Sequence, residues 1–343
     1  MSLITLSPIN RERWQRFKNN RRGYYSLWIF LGLFGVSLLA DVVANRVPLM
    51  VQFQGQWFFP IVNEYSELDF GGDFDVAADY RDDYIAELIN QSGWMLWPPI
   101  RFDYRAINYH LTTPAPSPPS TDNWLGTDDL GRDVLARLIY GFRISVIFGL
   151  LLTLATSVVG ITVGALQGFY GGKVDLIGQR LLEVWSSVPT LFVLIIIASM
   201  VPPSFWILLA ILLVFGWMSL VGIVRAEFLR ARNFEYVLAA RSMGVSNRAI
   251  MWRHLLPNAM VATITFIPFL LVGAVTSLTA LDFLGFGLPP GSASLGEMVS
   301  QGKNNLHAPW IGLSVFVTLS LLLTLLVFVG EAVRDAVDPN RTR

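Results

Sequence analysis

Cysteine is absent from the 343 residues, which removes disulfides, thiolate metal sites, CxxC redox chemistry and a cysteine nucleophile at once. Charge is scarce: Asp, Glu, Lys and Arg make up 15% of the chain, against about 25% in a soluble domain. The 25 basic residues are balanced by 25 acidic ones. No cationic excess is left to neutralise a phosphate backbone, which excludes nucleic-acid binding. The three histidines, His110, His254 and His307, lie far apart and form neither an HExxH motif nor a metal-ligand spacing. Hydrophobic residues, by contrast, reach 53%, and the mean hydropathy is +0.52. These are the proportions of a membrane protein.

A helix needs about 20 apolar residues to cross a bilayer, and its backbone must be satisfied within the segment. Charge-poor runs of that order are Gly23 to Ala40, the stretch between Arg143 and Lys173, Val184 to Val224, Asn258 to Leu281 and Trp310 to Gly330. Pro202-Pro203-Ser204 divides the third run in two. The pattern predicts an all-α membrane protein with six transmembrane helices. With the N-terminus in the cytoplasm, inner segments hold 17 of the 25 Lys and Arg and outer segments 8, so both termini are expected inside. The first run exceeds the 7–15 residues of a signal-peptide core and comes after an Arg-rich tail, as an uncleaved anchor would. The expected organisation is a cytoplasmic tail (1–23), a first helix (24–45), a periplasmic insert with an amphipathic helix (46–142), a core of five helices (143–331) and a cytoplasmic tail (332–343). A cytoplasmic loop (225–257) lies within the core.

The insert is aromatic and acidic in its first half (Trp57, Phe58, Phe59, Tyr65, Tyr80, Tyr84, Trp94, Trp97), and is expected to pack as a small cap. The Pro-rich stretch 113–119 should run extended as a stiff spacer. Beyond it, Asp128 is a candidate N-cap. Leu130, Val134, Leu138 and Phe142 recur every four residues, and Asp133 and Arg137 stand at i, i+4. Together they predict an amphipathic helix on the outer membrane surface. In the second span Gly160, Gly164 and Gly168 form a small-residue ladder for close helix packing. Pro189 and Pro268 permit kinks in the third and fifth spans. No acid or base stands near mid-span, which weighs against a secondary transporter.

The loop 225–257 is too long for a turn. Asn233 is a candidate N-cap, and Glu235 in the first turn suits the helix dipole. Tyr236, Ala239, Ala240 and Met243 form an apolar stripe, and Gly244 stops the helix. Ser246 can cap a second helix reaching Leu256, before Pro257. Periodicity leaves two readings open: a stripe inserted into a groove on another protein, or a loop folded onto the membrane surface.

Ala239-Ala240-Arg241-Ser242-Met243-Gly244, with Leu256-Pro257-Asn258 further on, resembles the EAA loop of ABC-importer permeases. Leu238 replaces the usual Glu, and His254 stands where Ile is usual. The resemblance implies that Glu235, Tyr236, Ala239, Ala240, Met243, Gly244, Leu256 and Pro257 form a coupling helix and its support, docked on a cytoplasmic ATPase. Four further motifs resemble the oligopeptide/dipeptide (OppC/DppC) branch: a periplasmic one carrying Gly126, Thr127, Asp128, Gly131, Arg132 and Asp133, then Tyr170 to Asp175, Leu281 to Gly287, and Arg334 to Pro339. The long insert and Asn20 to Tyr24 resemble one subfamily, associated with oligopeptides and the peptide-nucleotide antibiotic microcin C. Taken together, the resemblance implies a non-catalytic permease subunit of the bacterial inner membrane. Its implied partners are a second homologous permease, a cytoplasmic ABC ATPase, a periplasmic substrate-binding protein, a peptide substrate and the lipid bilayer.

No chemistry of the chain's own is legible. Gly171-Gly172-Lys173 lacks the flanking residues of a phosphate loop, with Gln167 and Val174 in their places. Ser294 lacks the preceding glycine of a nucleophile elbow, because residue 292 is Ser. ATP is therefore expected on a partner, with no cofactor or metal here. A self-sufficient secondary transporter or channel would need midplane charges or inverted repeats. A polytopic membrane enzyme would need clustered His, Asp or Glu. Neither pattern is seen.

Overall fold

A computed structural model describes residues 8–337. Asp338-Pro339, at the end of the fourth motif, lies outside the described residues. Helices α1 (Pro8–Asn19), α2 (Arg21–Leu38) and α3 (Ala40–Val43) open the chain. The insert adds β1 (Met50–Phe53), β2 (Gln56–Phe58), a 3-10 turn (Glu67–Phe70), α4 (Asp83–Ser92) and β3 (Gly93–Leu96). Next come α5 (Val134–Tyr170), α6 (Gly172–Ser186), α7 (Thr190–Met200), α8 (Phe205–Gly216) and α9 (Met218–Ala231). The loop that begins at Arg225 leads into α10 (Glu235–Ser242), α11 (Asn247–Ala249) and a π-helical turn (Ile250–Leu255) that runs into α12 (Leu256–Ile264). The chain ends with α13 (Ile267–Phe283), α14 (Leu295–Asn304) and α15 (Pro309–Val337).

Among the described residues three helical stretches are long and apolar enough to cross a membrane unbroken: Val134–Tyr170, Phe205–Ala231 and Pro309–Val337. Two more qualify as bent pairs, α6 with α7 (63°) and Asn247–Ile264 with α13 (56°). The breaks fall where proline removes an N–H: Pro189 stands immediately before α7, and Pro268 lies in the first turn of α13. Helix α2 is not among these spans, because its 18 residues begin with Arg21 and Arg22. At 1.5 Å per residue, the 37 residues of α5 reach about 55 Å, well beyond a hydrocarbon core of about 30 Å. The separate surface helix expected before the second span does not exist. Val134 already starts the span-forming helix, and Leu130 lies exposed in the turn before it.

The chain divides into two compact units. One holds residues 8–31, 146–289 and 320–337. Within it the glycine ladder of α5 meets the carbonyl oxygens of α9 at the same four-residue step. A Cβ on Gly160, Gly164 or Gly168 would come within 2.5, 2.8 and 2.6 Å of the carbonyls of Trp217, Val221 and Arg225. Backbone cannot yield as a side chain can, so Gly164→Leu should force the helices apart. The expected loss is about 1–3 kcal/mol, read as a lower unfolding temperature in detergent. Gly222→Ala, with nothing within 4 Å of its Cβ position, should leave that temperature unchanged. In the same unit Phe17 packs with Ala332 and Ala336, and Asn20 donates to Asp335 (3.3 Å).

The other unit holds residues 32–145 and 290–319, and it corrects the all-α expectation. A three-stranded antiparallel sheet, β2-β1-β3, pairs Val51 with Phe58 and with Met95. Gln54 and Gly55 turn the hairpin, both with positive φ. Val51 and Phe53 alternate inward onto Phe70, Tyr80, Ile85 and Ile89, which form the core of the expected cap. Of the aromatics expected to pack the cap, Trp57, Phe59, Tyr84 and Trp94 are nevertheless exposed. The Pro-rich stretch is not a free spacer. Ser117 is buried, its N–H donates to Thr127 Oγ1 (2.8 Å), and its carbonyl accepts from the Thr127 N–H (2.9 Å).

Candidate functional sites: a loop helix and a buried ion cluster

Helix α10 starts without a side-chain cap. Phe234, not Asn233, occupies the N-cap position. The helix stops as a Schellman turn: Val245 N–H bonds the Ala240 carbonyl and Gly244 N–H that of Arg241, with Gly244 at φ +79°. Ser246 then caps the next helix, its Oγ accepting from Ala249 N–H (3.4 Å). Pro257 offers no N–H to the turn before it, and the helix widens there into its π-helical segment.

The stripe read from the sequence is split by the structure. Ala240 is 4% exposed and joins Val237 in a cluster with Phe169, Phe228, Ile250 and Met251. Ala239, Tyr236 and Met243 (75% exposed) lie on the outside, with Phe234 and Leu238 beside them. Ala240 is thus the anchor of α10 and not part of its outer face. Three further contacts hold the helix. Arg241 sits over the Phe169 ring at 5.3 Å, Asn258 donates to the Tyr236 hydroxyl (3.1 Å), and Leu256 packs against the same cluster. Glu235 and Gly244 are exposed. In the Tyr170 to Asp175 motif, Gly171 and Gly172 take positive φ, and Asp175 receives Arg225 of α9 in a two-pronged ion pair (Nη2 to Oδ2 2.7 Å).

The motif from Gly126 to Asp133 folds as a tight loop around Asp128, which is fully buried and is not a helix cap. One carboxylate oxygen accepts the N–H groups of Leu130 and Arg132 (both 2.9 Å); the other accepts Arg132 Nε (2.7 Å) and faces Arg137 Nε at 3.5 Å. Arg132 and Arg137 both reach Glu297, at 3.1 and 3.0 Å. The expected Asp133–Arg137 pair is therefore absent. Asp133 instead caps α5, accepting from Ala136 N–H (2.7 Å) and from the Asn123 amide (2.8 Å). Burial pushes the Asp133 carboxyl up, against these hydrogen bonds. Gly126 and Gly131 take positive φ. Thr127 contributes its carbonyl to the Trp310 indole N–H (3.1 Å).

Glu297 escaped the sequence reading, which had given Arg137 a different partner. Glu297 stands three residues after the Ser294 N-cap, whose Oγ accepts its N–H (3.1 Å), so a serine three residues before a glutamate was the available signal. Among the described residues no group of three His, Asp or Glu could hold a metal ion.

Residues 160–343 match the family described as binding-protein-dependent transport system inner membrane component. The inner membrane ABC transporter permease protein YejE of Escherichia coli (strain K12) is 61% identical over 98% of both chains. A peptidoglycan transport system permease protein YejE of Agrobacterium fabrum (strain C58) is 55% identical, over 98% of this chain and 94% of that one. The oligopeptide transport system permease protein OppC of Bacillus subtilis (strain 168) is 34% identical, over 70% and 78%. A chain of the MetNI methionine ABC transporter, solved in inward facing conformations, shares the fold at a TM-score of 0.50 and 18% identity, covering 59% of this chain and 96% of that one.

Proposed function

The chain belongs to the inner membrane components of binding-protein-dependent transport systems, and from that membership we propose that it is one of two permease subunits of an ABC importer for oligopeptides. The observation that carries the coupling part of the reading is the two-sided α10. Its inner side is fastened by Val237 and Ala240, while Tyr236, Ala239 and Met243 are left outside. The alternative, a loop folded onto the membrane surface, would also employ an exposed apolar face; a face fastened to a packed support suits a groove on a partner. That partner is a cytoplasmic ATPase, which binds and hydrolyses the ATP. Closure of paired ATPases pushes α10, and its packing passes the displacement to α5 and α9, so that the spans re-angle and the pathway alternates its access. The peptide substrate is supported by the names of the oligopeptide and dipeptide relatives. Peptidoglycan-derived peptides are a second reading, supported by the name of the Agrobacterium relative. Microcin C uptake is the narrowest part of the proposal.

Deleting the chain should abolish uptake of labelled tripeptides and make cells resistant to microcin C, with both restored by the wild-type copy. Unchanged tripeptide uptake in the deletion strain, or ATP hydrolysis by the purified chain alone, would overturn the reading. Six spans with both termini in the cytoplasm are part of the same proposal, with α2 as the first span. The cysteine-free sequence makes this testable with a membrane-impermeant thiol reagent. Tyr109→Cys, at an 83% exposed position in the insert, should label in cells with a permeabilised outer envelope. Asn247→Cys, exposed in the 225–257 loop, should label only after lysis. The reverse pattern would invert the topology.

A further inference from the structure

The insert contains a cleft of about 590 Å³ whose lining includes Arg81, Trp97, Arg101, Phe102, Asp122 and Trp124. That volume suits a ligand of a few residues. The two arginines arrive from different segments, Arg81 just before α4 and Arg101 just after β3. Each lies over an aromatic ring, Arg81 over Phe102 at 4.1 Å and Arg101 over Trp97 at 5.4 Å. Among the described residues neither guanidinium is salt-bridged. Burial pushes Arg81 below its ordinary range and the like charge of Arg101 acts in the same direction, opposed by Asp79 and Asp122.

Two guanidinium groups lining one cleft on aromatic supports form a pre-oriented host for a carboxylate, which would accept charge-assisted hydrogen bonds from both. Asp122 on the same lining disfavours a multiply charged anion such as a phosphate ester. Trp97, Phe102 and Trp124 offer apolar surface to whatever accompanies the carboxylate. We propose that this cleft binds the C-terminal carboxylate of a short peptide with an aromatic or apolar last residue, Arg81 and Arg101 holding the carboxylate and the three rings the side chain. The proposal rests on the assignment of the chain to a peptide importer.

The test uses the assembled importer in nanodiscs, without its binding protein, and an N-terminally labelled Ala-Ala-Phe as the free acid and as the C-terminal amide. Fluorescence anisotropy should show saturable binding of the acid and roughly tenfold or weaker binding of the amide. Arg81→Gln and Arg101→Gln should each weaken the acid by a similar factor and leave the amide unchanged. Arg105→Gln, exposed and outside the lining, should change nothing. Arg101→Glu, at an exposed position, covers the case in which the Arg81 variant does not assemble. Equal binding of acid and amide, or wild-type affinity in Arg101→Glu, overturns the proposal. So does a wild-type importer that binds neither peptide while the arginine variants lose only docking of the binding protein. Peptide uptake measured in parallel separates the two claims: uptake without cleft binding sinks the cleft alone, whereas absent uptake sinks the functional reading.

Discussion

Asp128→Ala should be among the most damaging single substitutions in the insert-bearing unit, costing roughly 3–5 kcal/mol. Its carboxylate satisfies two backbone N–H groups and Arg132 Nε, and it faces Arg137; Asp128 and Arg137 are both fully buried. Alanine removes the acceptor and leaves two buried guanidinium groups with Glu297 as their remaining carboxylate. Arg137 is already the least satisfied member, its Nε and Nη1 lacking hydrogen-bond partners among the described residues. Asp128→Asn separates charge from hydrogen bonding, because an amide oxygen can still accept the loop N–H groups. It should fall between wild type and Asp128→Ala. Asp129→Ala, at an exposed position, should change little. Thermal unfolding in detergent and protease nicking between residues 120 and 133 are the readouts. An Asp128→Ala protein as stable as wild type would mean that the cluster does not hold the loop to the start of α14.

The features that were legible in the sequence share one property: a local pattern with one physical use. Glycines at 160, 164 and 168 repeat at the step of a helix face, and they meet α9 through its carbonyls. Gly244 after an apolar stripe marks a helix stop, and the Schellman bonds are there. Pro189 and Pro268 locate the bends. The misreadings share the opposite property. Arg137 was paired with Asp133 because four residues was the only separation visible, whereas Glu297 lies 160 positions away and the fold chooses it. β1 and β2 are four and three residues long, too short for alternation to stand out from the surrounding aromatics. On α10, apolar residues occupy both sides, so periodicity could not say which alanine faces out.

That last ambiguity sets the second large effect, because Ala239 and Ala240 should respond to the same substitution in different ways. Ala240→Glu places a carboxylate in the cluster with Phe169, Phe228 and Ile250. The burial cost of several kcal/mol falls on the permease itself, so the protein should fail to accumulate even without a partner. Ala239→Glu adds a charge at an exposed helical position, where the cost to the free permease is within about 0.5 kcal/mol. Only on docking would that carboxylate lose its water. A cost of several kcal/mol at that step weakens a complex by more than about a hundredfold. Ala239→Glu should therefore insert at normal levels, lose the co-purifying ATPase and show no substrate-stimulated ATP hydrolysis. Met243→Glu should repeat this, being exposed on the same side one helical turn further on. Gly244→Val should give a milder loss, since a β-branched residue opposes φ +79°. Arg248→Ala, exposed on the next helix, should behave as wild type. If Ala239→Glu transports normally with the ATPase bound, the outer face of α10 is not the docking surface, because no groove accepts an unpaired buried carboxylate without a measurable loss of affinity.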